Sequence, residues 1–155
     1  MGAFLSGPVV ITGASGHVGS VLSSRLTEMP NAVRLVGRQD DLVEAMREAD
    51  AVVHLAGTLQ PLKGNTYEQA NVETARKTME AVAGSSVKRI GFLSYVGADP
   101  TSPNDYLRTK SEAESLVAGG DARQLSSARR SSTGPLTTPA RVPPRLSLTV
   151  ERRSP

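Results

Sequence analysis

Gly13, Gly16 and Gly19 stand three residues apart in Thr12-Gly13-Ala14-Ser15-Gly16-His17-Val18-Gly19, the pattern T-G-A-x-G-x-x-G. A strand that must turn sharply into a helix needs a residue without Cβ sterics, a role that falls to Gly13. Gly16 lets the main chain approach a pyrophosphate, and Gly19 lets the following helix lie close on the sheet. The N–H groups of that helix's first turn, with its dipole, favour phosphate charge. Gly13, Ser15, Gly16, His17, Val18 and Gly19 are therefore the expected contacts to a nucleotide. A second constellation lies far downstream. Tyr106 and Lys110 are four residues apart and share a helix face. An ammonium in that position can lower the tyrosine pKa. The tyrosine can then give or take a proton at a carbonyl or alcohol oxygen.

Both groups need a scaffold, and residues 1–120 supply an alternating pattern for one. Val9-Val10-Ile11-Thr12 is a short β-branched run, expected as a buried strand. Residues 17–29 place Val18, Leu22, Leu26 and Met29 on one helical stripe. Val33–Val36, Ala51–Leu55 and Ile90–Ser94 are expected as further strands. Residues 41–48 predict a short helix with Leu42, Ala45 and Met46 inward. Residues 66–83 predict a longer one with Val72, Ala75, Met79 and Val82 on one face, and residues 105–118 a last one. Alternating strands and helices imply an α/β fold, a parallel sheet with right-handed crossovers and helices on both faces.

Composition excludes several classes. With no cysteine, neither a disulfide framework nor a thiolate metal site is available. Two histidines without ligand-like spacing make no zinc site, so no metal is expected. No apolar run approaches a membrane span, and the first strand starts too early for a signal peptide; a cytoplasmic location is expected. The formal charge of +3 is unevenly distributed. Residues 1–120 hold 11 Lys/Arg against 13 Asp/Glu, whereas residues 121–155 hold 7 Arg against 2 acids. The basic balance belongs to the tail, so no specific nucleic-acid partner is expected of the folded part.

The end of the second strand reads the adenine ribose in such folds, and here it is Val36-Gly37-Arg38-Gln39. An acidic residue would accept from a ribose 2′-OH and select NAD; arginine would meet a 2′-phosphate. Arg38 therefore points to NADP, with NAD as the alternative. Asp40 and Asp41 are near enough to serve as the ribose acceptor if the loop folds back.

The chain at this point resembles the short-chain dehydrogenase/reductase superfamily in its extended and atypical branches, over most of residues 8–118. The resemblance is carried by the glycine motif, Asp50-Ala51-Val52-Val53-His54-Leu55-Ala56-Gly57, Asn71-Val72, Leu93-Ser94 and Tyr106-Leu107-Arg108-Thr109-Lys110. Gly97-Ala98-Asp99-Pro100 through Ser102-Pro103-Asn104-Asp105-Tyr106 is similar to a branch related to an accessory subunit of respiratory complex I, with NmrA-like and epimerase-like relatives. The resemblance implies a Rossmann-type fold and a nicotinamide dinucleotide, with an unidentified small-molecule substrate. Tyr106 would be the acid/base, Lys110 its tuner and a holder of the nicotinamide ribose, and Ser94 the clamp on the substrate oxygen. Asn71 would organise a water, and Leu55, Ala56 and Gly57 would lie along the cofactor.

Three departures accompany it. Only 43 residues separate Gly13 from Ala56, too few for the family's third strand and its adenine contact. Ser94 precedes Tyr106 by only 12 residues, so the substrate loop must be short. After Gly120 no strand ending in Arg-Pro follows. Instead residues 121–155 carry 7 Arg, 6 Ser, 5 Pro and 4 Thr. Burying the tail's six large apolar side chains would give roughly 10–18 kcal/mol, against on the order of 35–70 kcal/mol to order its backbone. Residues 1–120 are thus expected to form the dinucleotide-binding domain and 121–155 a disordered tail. A basic binding arm and an out-of-frame product are the other sources of such a composition. The family match is C-terminally incomplete, the last strand should present an open edge, and turnover should be weak or absent.

Overall fold

The structure, a computed structural model, describes residues 7–26, 33–38 and 40–119. Met29 and the 121–155 tail lie outside the described residues. The elements run β1 (Val9–Thr12), α1 (His17–Leu26), β2 (Val33–Val36), α2 (Leu42–Met46) and β3 (Ala51–His54). A π-helical segment (Glu68–Glu73) then leads directly into α3 (Thr74–Ala83), followed by β4 (Arg89–Phe92) and α4 (Asp105–Gly119).

The four strands form one parallel sheet in the order β2-β1-β3-β4. β1 is buried along its whole length, because both of its faces are covered. Val9 and Ile11 point with Ala51 toward Leu22 and Leu26 of α1. Val10 and Val52 point the other way, into a larger core with Met46, Met79, Val82 and Val117. The period-two alternation of β1 thus feeds two helical layers, α1 on one face and α2, α3 and α4 on the other. Full burial of side chains such as Ile11 and Met46 contributes about 1.5–3 kcal/mol each.

The stripes expected over 66–83 and 41–48 hold, while on α1 Leu22 and Leu26 pack on the core and Val18 is half-buried. Val72, Ala75, Met79 and Val82 are all buried, and Met46 is inward with Leu42 and Ala45 packed beside it. The expected helix over 66–83 differs at its start, where Glu68–Glu73 takes the wider π winding before α3 proper. Within it Ala70, Asn71 and Val72 are buried in succession. The strands are shorter than expected. β3 ends at His54, leaving Leu55 beyond it, and β4 ends at Phe92, leaving Ser94 two residues past the pairing.

Register aligns the strand ends. Thr12 pairs with Val36 and His54, and His54 pairs with Phe92. Every expected site segment therefore leaves the sheet at its C-terminal edge. β1 runs to β2 on one side, and the chain then crosses back to β3 on the other. The switch point lies between β1 and β3, where open α/β sheets form their ligand crevice. β4 is the sheet edge among the described residues.

Candidate dinucleotide and acid–base site

The β1–α1 turn is held by backbone contact. Gly13 has φ +72°, and a Cβ there would lie 2.6 Å from Ala56 N and 2.7 Å from Leu55 C. The turn is therefore pressed onto the segment leaving β3, and Leu55 N donates to Thr12 O at 3.1 Å. A Cβ on Gly19 would lie 2.2 Å from Gly13 O and 2.7 Å from Ala14 Cα. The sequence leads one to expect close packing of Gly19 on the sheet. Its tightest contact is instead with the turn itself, because the helix starts directly behind Gly13. Gly16 differs from both. A Cβ there would meet only Gly13 O, at 3.2 Å. Ser15, Gly16 and His17 are exposed. The turn thus offers an open main-chain face over the first helical N–H groups, which lack intrahelical partners by geometry. A pyrophosphate fits such a cradle.

At the far side of β1, Arg38 stands exposed just beyond β2. Its acidic neighbours are engaged. Asp40 Oδ2 accepts from Gly37 N at 2.6 Å. Asp41 Oδ1 caps α2, accepting from Val43 N at 2.8 Å and Glu44 N at 3.2 Å.

On the other side of the crevice, Asn104 caps α4 by accepting from Tyr106 N at 2.9 Å, which sets Tyr106 and Lys110 one turn apart on the face toward β4. Lys110 is only 6% exposed. Its Nζ donates to Leu93 O at 2.7 Å and lies 4.5 Å from the centre of the Phe92 ring. Burial pulls this ammonium down to about 8, opposed by Glu114. Tyr106 is ringed by the chain's other two tyrosines, with centroids 5.9 Å to Tyr67 and 5.2 Å to Tyr95. Burial, then Tyr95 and Tyr67, push its phenol up to about 12. The sequence suggested a lowered tyrosine pKa. The opposite holds here, because Lys110 turns its charge to Leu93 O and Phe92 while the phenol sits among aromatic rings. Tyr106 is a protonated donor at neutral pH. Ser94 follows β4 beside Tyr95, and its Oγ is buried with no hydrogen-bond partner among the described residues.

Asn71 is 1% exposed, and its amide is used on both sides. Oδ1 accepts from Thr58 N at 3.1 Å, and Nδ2 donates to Thr109 Oγ1 at 3.0 Å. Each end of the Asn71 amide thus has a direct protein partner. Gly57, at φ +154°, passes over this amide; a Cβ on it would meet Asn71 Oδ1 at 2.8 Å and Lys110 Nζ at 3.8 Å.

Beneath the crevice lies His54, 1% exposed. The hydroxyls of Thr12 and Thr78 flank its Nδ1 at 2.8 and 3.0 Å, and its ring stacks on Phe92 at 5.7 Å. Burial and the charge of Lys110 hold its pKa down to about 3, so the imidazole is neutral. Sequence reasoning placed His54 in a strand and assigned it no part in the site. Tyr67, Tyr95, Thr58 and Thr109 were likewise passed over. Their signal lies in adjacency, since Tyr95 follows Ser94 and Thr109 lies between Tyr106 and Lys110.

Among the described residues, no group of three or more His, Cys, Asp and Glu side chains could hold a metal ion. No helix among them is long and apolar enough to cross a membrane.

No family model matches the chain. Over 74 residues, 48% of the chain, it is 35% identical to the mitochondrial NADH-ubiquinone oxidoreductase 40 kDa subunit of Neurospora crassa, of which it covers 20%. Its structure is similar to that of MoeE5 in complex with UDP-glucuronic acid and NAD, at 24% identity and a TM-score of 0.61, over 71% of this chain and 48% of that one. It is also similar to a short-chain dehydrogenase/reductase superfamily protein from Agrobacterium tumefaciens with bound NAD, at 22% identity and a TM-score of 0.59, over 71% and 44% of the two chains. The chain spans about half the length of these solved structures and a fifth of the curated relative. The described residues have a Rossmann-type α/β fold, a parallel sheet with helices on both faces.

Proposed function

We propose that the chain binds a nicotinamide dinucleotide across the C-terminal edge of its sheet, as the nucleotide-binding half of an oxidoreductase or epimerase acting on a carbonyl or alcohol carbon. One observation carries this: the open main-chain face at Gly16, built at the sheet's switch point by glycines whose neighbours leave no room for a side chain. The NAD named with the similar solved structures agrees with it. Gly13, Ser15, Gly16, His17, Val18 and Gly19 would hold the pyrophosphate. Leu55, Ala56 and Gly57 would line the path to the nicotinamide, and Lys110 would hold its ribose. Arg38 would meet a 2′-phosphate. Engagement of Asp40 and Asp41 by backbone N–H groups favours this NADP reading over an acidic ribose acceptor.

The bound dinucleotide supplies the hydride. The protein's part is the proton and the alignment. Tyr106 Oη, protonated at neutral pH, donates its proton to the substrate oxygen as a carbonyl becomes an alcohol. Ser94 Oγ, without a hydrogen-bond partner among the described residues, would donate a hydrogen bond to the same oxygen.

A second reading, a nucleotide sensor or assembly factor without turnover, is favoured by one observation. Lys110 is bonded to Leu93 O, and the Tyr106 phenol is raised rather than lowered. Titration of the purified chain with NADPH and NADH, followed by nicotinamide fluorescence, tests the shared claim. Saturable binding, tighter for NADPH, is expected; no binding of either rejects it. Tyr106→Phe then separates the two readings: an enzyme loses its turnover, whereas a sensor keeps its ligand.

A further inference from the structure

Thr109 is 6% exposed and sits between Tyr106 and Lys110 on α4. Its hydroxyl donates to Asp105 O at 2.8 Å, which leaves its lone pairs to accept from Asn71 Nδ2 at 3.0 Å. Asn71 in turn accepts from Thr58 N at 3.1 Å. Asn71 sits in the π-wound segment Glu68–Glu73, buried between these two partners. A three-residue path therefore runs from the turn after β3, through the π segment, to the helix that carries the acid–base pair. Gly57 lies directly over it, within reach of both Asn71 Oδ1 and Lys110 Nζ.

We propose that Thr109 is a positioning residue for the nicotinamide end of the site, acting through Asn71 to hold the Gly57–Thr58 turn at a fixed distance from Lys110. The proposal rests on the dinucleotide reading above and deepens it. A valine at 109 matches threonine in shape but offers Asn71 no acceptor. The buried amide then lacks a partner, and its grip on Thr58 N loosens. Serine keeps the hydroxyl.

The test compares wild type, Thr109→Val and Thr109→Ser in fluorescence titrations with NADPH and NADH, with ADP as a half-ligand that lacks the nicotinamide ribose. In Thr109→Val the dinucleotide Kd should rise about tenfold, the loss expected for one buried hydrogen bond. Thr109→Ser should stay within about twofold of wild type, and ADP affinity should be equal in all three. Unchanged dinucleotide affinity in Thr109→Val overturns the proposal. So does an equal loss for ADP, which would mean general loosening. Amide hydrogen exchange at Thr58 is measured in parallel. It should quicken about tenfold in Thr109→Val and not in Thr109→Ser. If wild type binds neither dinucleotide nor ADP, the functional reading fails, and exchange at Thr58 alone decides this one: no change there overturns it. Should Thr109→Val not fold, Thr109→Ala carries the same comparison.

Discussion

The β1–α1 turn and the β4–α4 cluster both lie beyond the C-terminal ends of the strands, with the segment leaving β3 between them, and they are built in opposite ways. The turn is made of missing side chains. Gly13 and Gly19 let backbone meet backbone at distances no Cβ tolerates, so the shape follows from a short run of sequence. The cluster is made of side chains from four places. Asn71, Thr109, Lys110 and the three tyrosines reach it from the π segment, α4 and the flanking loops, and burial pushes the Tyr106 phenol up and the Lys110 ammonium down. A phosphate cradle needs only exposed main-chain N–H groups. Acid–base chemistry needs groups whose charge is set by neighbours.

The contrast is broken most strongly at Gly19. Gly19→Ala forces a Cβ into Gly13 O and Ala14, and is expected to cost about 3 kcal/mol or more in urea unfolding. A loss under about 1 kcal/mol would mean the turn is not close-packed. Next comes acid. His54 is held near 3 against an ordinary 6.5, so the unfolded chain takes up this proton first as pH falls. Its contribution to stability is complete above pH 6.5 and is lost toward about 3, at roughly 1.4 kcal/mol per pH unit. His54→Leu should flatten that slope in acid unfolding curves; an unchanged slope would remove His54 as its source.

Lys110→Met probes the cluster from the other direction. The native ammonium is buried at a cost, which its lowered pKa of about 8 records. The variant's unfolding free energy at pH 7 should equal wild type or exceed it by about 1–2 kcal/mol, while dinucleotide affinity falls. A clear loss of stability would show that the Leu93 and Phe92 contacts outweigh desolvation. Smallest is a site outside both regions. Glu48 holds φ +61°, and Glu48→Gly should add about 1 kcal/mol with no effect on binding. Altered binding there would show the two regions are not separable from the scaffold.

What the sequence made legible follows the same division. The parallel sheet, the inward stripes and the glycine turn rest on local patterns, and they hold. The π winding at Glu68–Glu73 does not show in a hydrophobic period, and the partners Asn71 finds there, Thr58 and Thr109, are distant in the chain. Tyr-x-x-x-Lys spacing correctly puts the two residues on one face. It is silent on where the ammonium points, and so it suggested a tyrosine lowered rather than raised.

Gly16→Ala offers the most direct test of the dinucleotide site. Its Cβ has room apart from Gly13 O at 3.2 Å, so the fold should survive with a loss of about 1 kcal/mol or less. On the proposed reading, the same methyl would stand where the pyrophosphate approaches. Wild type and Gly16→Ala would be titrated with NADPH and NADH, with an unfolding curve for each protein. Binding by wild type and at least about a tenfold weaker Kd in a stably folded Gly16→Ala is the predicted result. Equal affinity in both proteins, or no binding by wild type, would contradict it.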